Sequence, residues 1–230
     1  MYSLKFQRFI EIWQKEFGIE KTIEEKKSID KDDNPIPWYT YPAIEYLSQF
    51  DYSDKKVFEF GVGYSSLFWA NRAKKVISIE DNPSYFERWT TEFKKENLDI
   101  RWRDEGEIYE NAIFEDEDKY DVIIIDGKRR FPCAEVALKK ISNNGFIILD
   151  DSDRVNTSHE YVNAINTLKQ GNFLQVDFYG FCPMNNFSKT TTLFMQKDFD
   201  FKTIDTVQPT NGIGNLWAME RAKRKAFFKE

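Results

Sequence analysis

Three acidic side chains stand where an apolar run stops: Asp126 follows YDVIII, and Asp150 and Asp151 follow FIIL. Neighbouring strands lie about 5 Å apart, so carboxylates at their ends can share one Mg²⁺, which takes oxygen ligands at about 2.1 Å. The same residues admit another reading, in which Asp150, Asp151, Ser152 and Asp153 cap the next helix while Asp126 orders a neighbouring loop. A second chemical group lies earlier, where Glu59, Gly61, Gly63 and Ser65 alternate in EFGVGYS and Glu80 closes the run VISI. The glycines let the chain turn tightly and let a ligand approach the main chain, and an acid at the end of the next strand can accept both ribose hydroxyls. Glu59 falls inside a buried strand, where a carboxylate is costly unless paired; the α-ammonium of a methionine moiety would suit it.

The elements that must position these groups read as an alternation of strand and helix. Strands are expected over 57–60, 76–79, 98–103, 120–125 and 146–149, with helices over 65–73, 85–95 and 131–141. Tyr85, Phe86, Trp89 and Phe93 should face inward, 105–118 reads as irregular, and Asn143-Asn144-Gly145 reads as a turn. A helix over 157–169 leads to strands over 173–181 and 190–196, and the gap from Cys182 to Lys189 is too short for a parallel crossover, so those two should pair antiparallel.

At the other end, Leu4, Phe6, Phe9, Ile10, Trp13 and Phe17 share one face of an N-terminal helix that stops at Gly18. The charged stretch 19–34 reads as a loop. Between Pro35 and Pro42, Trp38, Tyr39 and Tyr41 either lie over a ligand or cover the sheet edge. A basic helix over 216–229 should lie on the surface. The segments are therefore 1–42 as helix and aromatic lid, 43–201 as the catalytic domain, and 202–230 as a tail.

A chain of 230 residues with 41% hydrophobic and 17% aromatic residues can bury a core, and a net charge of −6 argues against unspecific nucleic-acid binding. Cys133 and Cys182 read as buried reduced thiols, and no targeting pattern or membrane-length run is seen, so a cytoplasmic protein without a membrane partner is expected. The oligomeric state is left open.

With these motifs in order, the chain resembles class I S-adenosylmethionine-dependent methyltransferases over roughly residues 43–197, with Ser65 replacing the last of three glycines in the first motif. A dinucleotide fingerprint would want a smaller residue at Ser66 and a further crossover helix in place of the hairpin. The resemblance implies an α/β, doubly wound seven-stranded sheet of order 3-2-1-4-5-7-6, strand 7 antiparallel, here with an N-terminal helical cap. It also implies S-adenosylmethionine held by Glu59, Gly61, Gly63, Ser65, Glu80, Asp104 and Asp126, with Asp104 at the adenine amino group or, equally, capping a helix.

Asp126, Asp150 and Asp151 look like the Mg²⁺ ligands of the catechol and macrolide-sugar O-methyltransferases. Those families place a lysine or histidine base three residues after the first aspartate. Arg129 stands there and cannot release a proton near neutral pH, which leaves Asp126 and His159 as candidate bases. Lys128, Arg129 and Arg130 form a basic cluster suited to an anionic acceptor. The box Asp81-Asn-Pro-Ser-Tyr85 resembles that of amino methyltransferases but follows strand 2 instead of strand 4, so nucleic-acid base methylation is disfavoured. The expected function is O-methylation of a small hydroxylated acceptor, sugar-like or anionic. The alternative is an NAD-binding or non-catalytic nucleoside-binding protein of the same α/β class.

Overall fold

Apolar runs with β-branched residues pair side by side in the centre of the molecule, because strands flanked by helices on both faces must bury both sets of side chains. The computed structural model describes residues 3–218 and 224. Its strands are β1 (Lys56–Phe60), β2 (Lys75–Glu80), β3 (Leu98–Trp102), β4 (Tyr120–Ile125), β5 (Ile141–Asp150), β6 (Phe173–Phe181) and β7 (Ser188–Gln196). They form one seven-stranded sheet in the order β3-β2-β1-β4-β5-β7-β6. The first five are parallel to one another, and β7 runs antiparallel to both β5 and β6.

The helices are α1 (Leu4–Lys15), α2 (Ile19–Glu25), α3 (Tyr41–Leu47), α4 (Tyr64–Ala70), α5 (Pro83–Glu92), α6 (Glu107–Asn111), α7 (Arg130–Lys140) and α8 (His159–Leu168). Polar side chains begin several of them. Asn82 accepts the Ser84 and Tyr85 amides ahead of α5, whose first residue is proline, and Ser158 accepts the Glu160 amide ahead of α8. Alternation along the strands divides the core into two layers. Val57, Val76, Val122, Ile124 and Ile148 pack with α3 and α4, whereas Phe58, Phe60, Ile77, Ile123 and Ile125 pack with α6, α7 and α8.

The structure departs from the sequence reading where tertiary contacts outweigh local signals. The stretch 19–34 is ordered: α2 occupies its first part, and Thr22 accepts the Met184 amide at 2.7 Å. Residues 105–118 hold α6 and a short 3-10 turn, whose Tyr109 and Ile113 are buried. The Asn143-Asn144-Gly145 turn is absorbed into β5, where the register against β4 shifts between Tyr120 and Val122. Leu4, Phe9 and Ile10 of α1 are exposed, and only Trp13 and Phe17 reach the core; Tyr85 is likewise exposed. Both cysteines are buried and free, as expected. No helix among the described residues is long and apolar enough to cross a membrane. Apart from the 3-10 turn Leu216–Ala218, the expected C-terminal helix lies outside the described residues.

Candidate active site

A crevice of about 560 Å³ opens at the carboxyl ends of β1, β2, β4 and β5, where a doubly wound sheet changes direction. One wall is the turn after β1. Gly61 has φ +102°, and a Cβ there would lie 3.0 Å from the Gly127 amide, so both its backbone conformation and its neighbour demand glycine. Gly63 differs. Its backbone is extended, and the nearest atom to an added Cβ is the Ser65 hydroxyl at 3.9 Å, so nothing within the chain requires a bare position there. It lines the crevice together with Ser65 and Glu80. The Glu80 carboxylate accepts the Asp81 and Asn82 amides at 3.1 and 2.9 Å, which fixes its rotamer, while burial raises its pKa.

Glu59 lies behind this wall, fully buried and absent from the crevice lining. Instead of a ligand's ammonium, three hydroxyls satisfy it: Ser65 and Ser66 each donate at 2.5 Å and Ser78 at 2.7 Å. Ser66 also accepts the Gly63 amide at 3.3 Å, so the buried acid braces the glycine turn through α4. Loss of hydration still dominates its titration and pushes it up to about 7.

Across the crevice, Asp126, Asp150 and Asp151 come together, with carboxylate oxygens of all three within 4.8 Å of one another. Successive strand residues normally point to opposite faces. Asp151 escapes that rule through a left-handed backbone, φ 57°, which turns it back toward Asp150.

The charges around the cluster belong to the protein itself. Lys189 donates to Asp150 and, at 3.0 Å, to Asp151; Arg130 donates to Asp126 at 3.1 Å; Arg154 meets Asp151 at 2.9 Å. Thr191 donates to the other oxygen of Asp150 at 2.7 Å and accepts the Thr40 amide at 3.1 Å. Burial raises Asp150 to about 7 even beside Lys189, and raises Asp126 in the same direction. These donors do not fit a resident Mg²⁺, because an ammonium already bridges two of the three proposed ligands.

The remaining candidates do not gather here. His159 is exposed at the start of α8, and Asp104 is exposed in the loop after β3; neither lines the crevice. The basic cluster is dispersed among four acids. Lys128 pairs with Asp81 and Glu105, Arg129 makes a two-pronged pair with Glu110, and Arg130 turns inward to Asp126. It therefore presents no shared anion site. The aromatic segment divides: Trp38 is exposed on the crevice, while Tyr39 and Tyr41 are core residues.

Lys189 and Ser28 are among the crevice residues without a sequence signal. Lys189 reaches the site only because β7 pairs with β5 in a register that places Thr191 opposite Asp150. Ser28 is 2% exposed, lines the crevice, and its hydroxyl has no partner among the described residues, which makes it an unused donor facing a ligand space.

No protein-family model matches the sequence, and no curated protein does. Solved structures do match in shape. An O-methyltransferase of Bacillus cereus, determined in complex with SAH, aligns with TM-score 0.52 and 13% identity over 67% of this chain and 78% of its own. Precorrin 8w decarboxylase of Methanobacterium thermoautotrophicum gives 0.51 and 13% over 74% and 97%. Spermidine synthase of Thermotoga maritima gives 0.51 and 16% over 67% of this chain and 59% of its own. Together with the strand order, these likenesses show that the chain has the class I S-adenosylmethionine-dependent methyltransferase fold.

Proposed function

We propose that the protein binds S-adenosylmethionine along the Gly61–Ser65 turn and Glu80 and methylates a hydroxyl of a small acceptor seated against Trp38 and the carboxylate cluster. The observation that carries this reading is Gly63: a glycine required by neither backbone strain nor crowding, on the wall of a crevice that also holds Glu80. Its missing Cβ leaves room for a ligand against the main chain, and Glu80 is placed for ribose hydroxyls. When bound, the cofactor supplies a methyl group on a sulfonium, displaced in line so that the broken C–S bond leaves its electron pair on sulfur.

The chain's own residues then have two tasks, to align the acceptor oxygen and to take its proton. Asp126 is the group suited to the second, since it lines the crevice, remains partly open to it, and is made more basic by burial. Arg130 holds one of its oxygens at 3.1 Å and keeps the carboxylate oriented. Trp38 lines the crevice and offers an apolar ring face against which the acceptor packs. A basic site for an anionic acceptor is not part of the reading, because Lys128 and Arg129 are already paired.

Calorimetric titration of the purified protein with S-adenosylmethionine, SAH and NAD tests the assignment. Saturable binding of the first two without the third is expected, and the reverse preference rejects it. A screen of hydroxylated acceptors that returned only N-methylated products would refute the hydroxyl preference.

A further inference from the structure

Three carboxylates with oxygens within 4.8 Å of one another cannot all ionise without positive charge among them. Arg130 and Arg154 flank the group, the first between Asp126 at 3.1 Å and Asp151 at 3.7 Å, the second on Asp151. Asp150, the most deeply buried of the three, has Lys189 as its sole direct ion-pair partner among the described residues. The Lys189 ammonium sits between Asp150 and Asp151, and its side chain is 8% exposed.

Lys189 comes from the start of β7, where the antiparallel pairing with β5 fixes its approach. Its nitrogen also lies 5.9 Å from the centre of the Trp38 ring. An ammonium has three N–H donors, and the bonds to Asp150 and Asp151 use two. The third is left for the crevice, which Lys189 lines.

We infer that Lys189 takes the place of a divalent cation: its ammonium neutralises the Asp126–Asp150–Asp151 cluster from within, and its remaining N–H binds the acceptor oxygen. The second half of this inference rests on the proposed methyl transfer; the first stands without it. An ammonium suits both tasks because it is a compact charge with freely rotating donors, whereas the flanking guanidinium groups are planar and already committed. Held beside Asp126, the acceptor oxygen would be oriented by Lys189 while its proton passes to the Asp126 carboxylate.

The test is binding of Mn²⁺, followed by the paramagnetic resonance signal of the free ion, to the wild-type protein and to Lys189→Ser and Lys189→Arg. The wild-type protein and Lys189→Arg are expected to leave the signal unchanged at millimolar Mn²⁺. Lys189→Ser, in which Asp150 loses its cation, is expected to bind one ion saturably and to melt at a higher temperature in its presence. Micromolar Mn²⁺ binding by the wild-type protein that Asp150→Asn abolishes would overturn the inference, as would a folded Lys189→Ser that binds none. Should Lys189→Ser fail to fold, the wild-type titration alone still decides. None of these readouts needs methyl transfer, so their failure is distinct from failure of the proposed function. For the acceptor contact, turnover by the wild-type protein should survive exhaustive chelation and Lys189→Ser should lose at least about tenfold in kcat/KM for the acceptor, equivalent to about 1.4 kcal/mol; loss of turnover on chelation, or an unchanged kcat/KM, overturns that half.

Discussion

The two glycines of the β1 turn separate a structural requirement from a functional one. Gly61 is held at a positive φ with the Gly127 amide 3.0 Å from where a Cβ would stand, so Gly61→Ala is expected to destabilise the protein by more than about 1 kcal/mol. Gly63 has neither constraint. Gly63→Ala should therefore leave the urea midpoint nearly unchanged while weakening S-adenosylmethionine binding by about tenfold or more, since a methyl group would stand in the space of the ligand. Calorimetric titration beside urea unfolding of both variants checks the contrast. A Gly63→Ala protein with full affinity would remove the principal support for the cofactor site.

At the scale of elements, the site is tied together by β7, the strand that supplies Lys189, Thr191 and the partner for the end of β5. Thr191 is the link between the aromatic segment and the carboxylates, because its hydroxyl accepts the Thr40 amide and donates to Asp150. Thr191→Val keeps the shape but removes both bonds, leaving a buried amide unpaired and Asp150 short of a donor. The expected cost is about 1–3 kcal/mol, read as a lower melting temperature. Thr191→Ser, which retains the hydroxyl, should recover most of that loss. A Thr191→Val protein as stable as the wild type, or a Thr191→Ser protein less stable than Thr191→Val, would show that the hydroxyl bridge does not carry the effect.

For the whole molecule, Glu59 links the core to pH. Its carboxyl is raised from 4.5 to about 7 by burial, so the folded state holds the proton more tightly than the unfolded state does. Stability from this group is fully present below the unfolded value and is lost as pH rises through the folded one. Between about pH 4.5 and 7 the unfolding free energy should fall, by on the order of 3 kcal/mol from this residue alone. Glu59→Gln keeps the hydrogen-bonding shape without the titration. Unfolding of both proteins in urea across that range is expected to show the wild type losing stability relative to the variant as pH rises; a constant difference would mean that the three serines, not burial, set the state of the acid.

The sequence alone determined the sheet and the position of the glycine turn. Continuous β-branched runs such as that of β4 can be satisfied only between two helical layers, and a short gap between β6 and β7 allows only a hairpin. It also placed Asp126, Asp150 and Asp151 at strand ends, where they do converge. What lies among them was decided by tertiary structure. Lys189 is 38 residues from Asp151 along the chain, and only the register of β7 against β5, with the left-handed turn at Asp151, puts an ammonium where a metal was expected. Local patterns likewise could not show that Glu59 would be satisfied by serines from α4 and β2, or that Arg129 and Lys128 would pair with Glu110 and Asp81. Periodicity reports which face of an element is buried; which charge meets which depends on contacts between elements far apart in the chain.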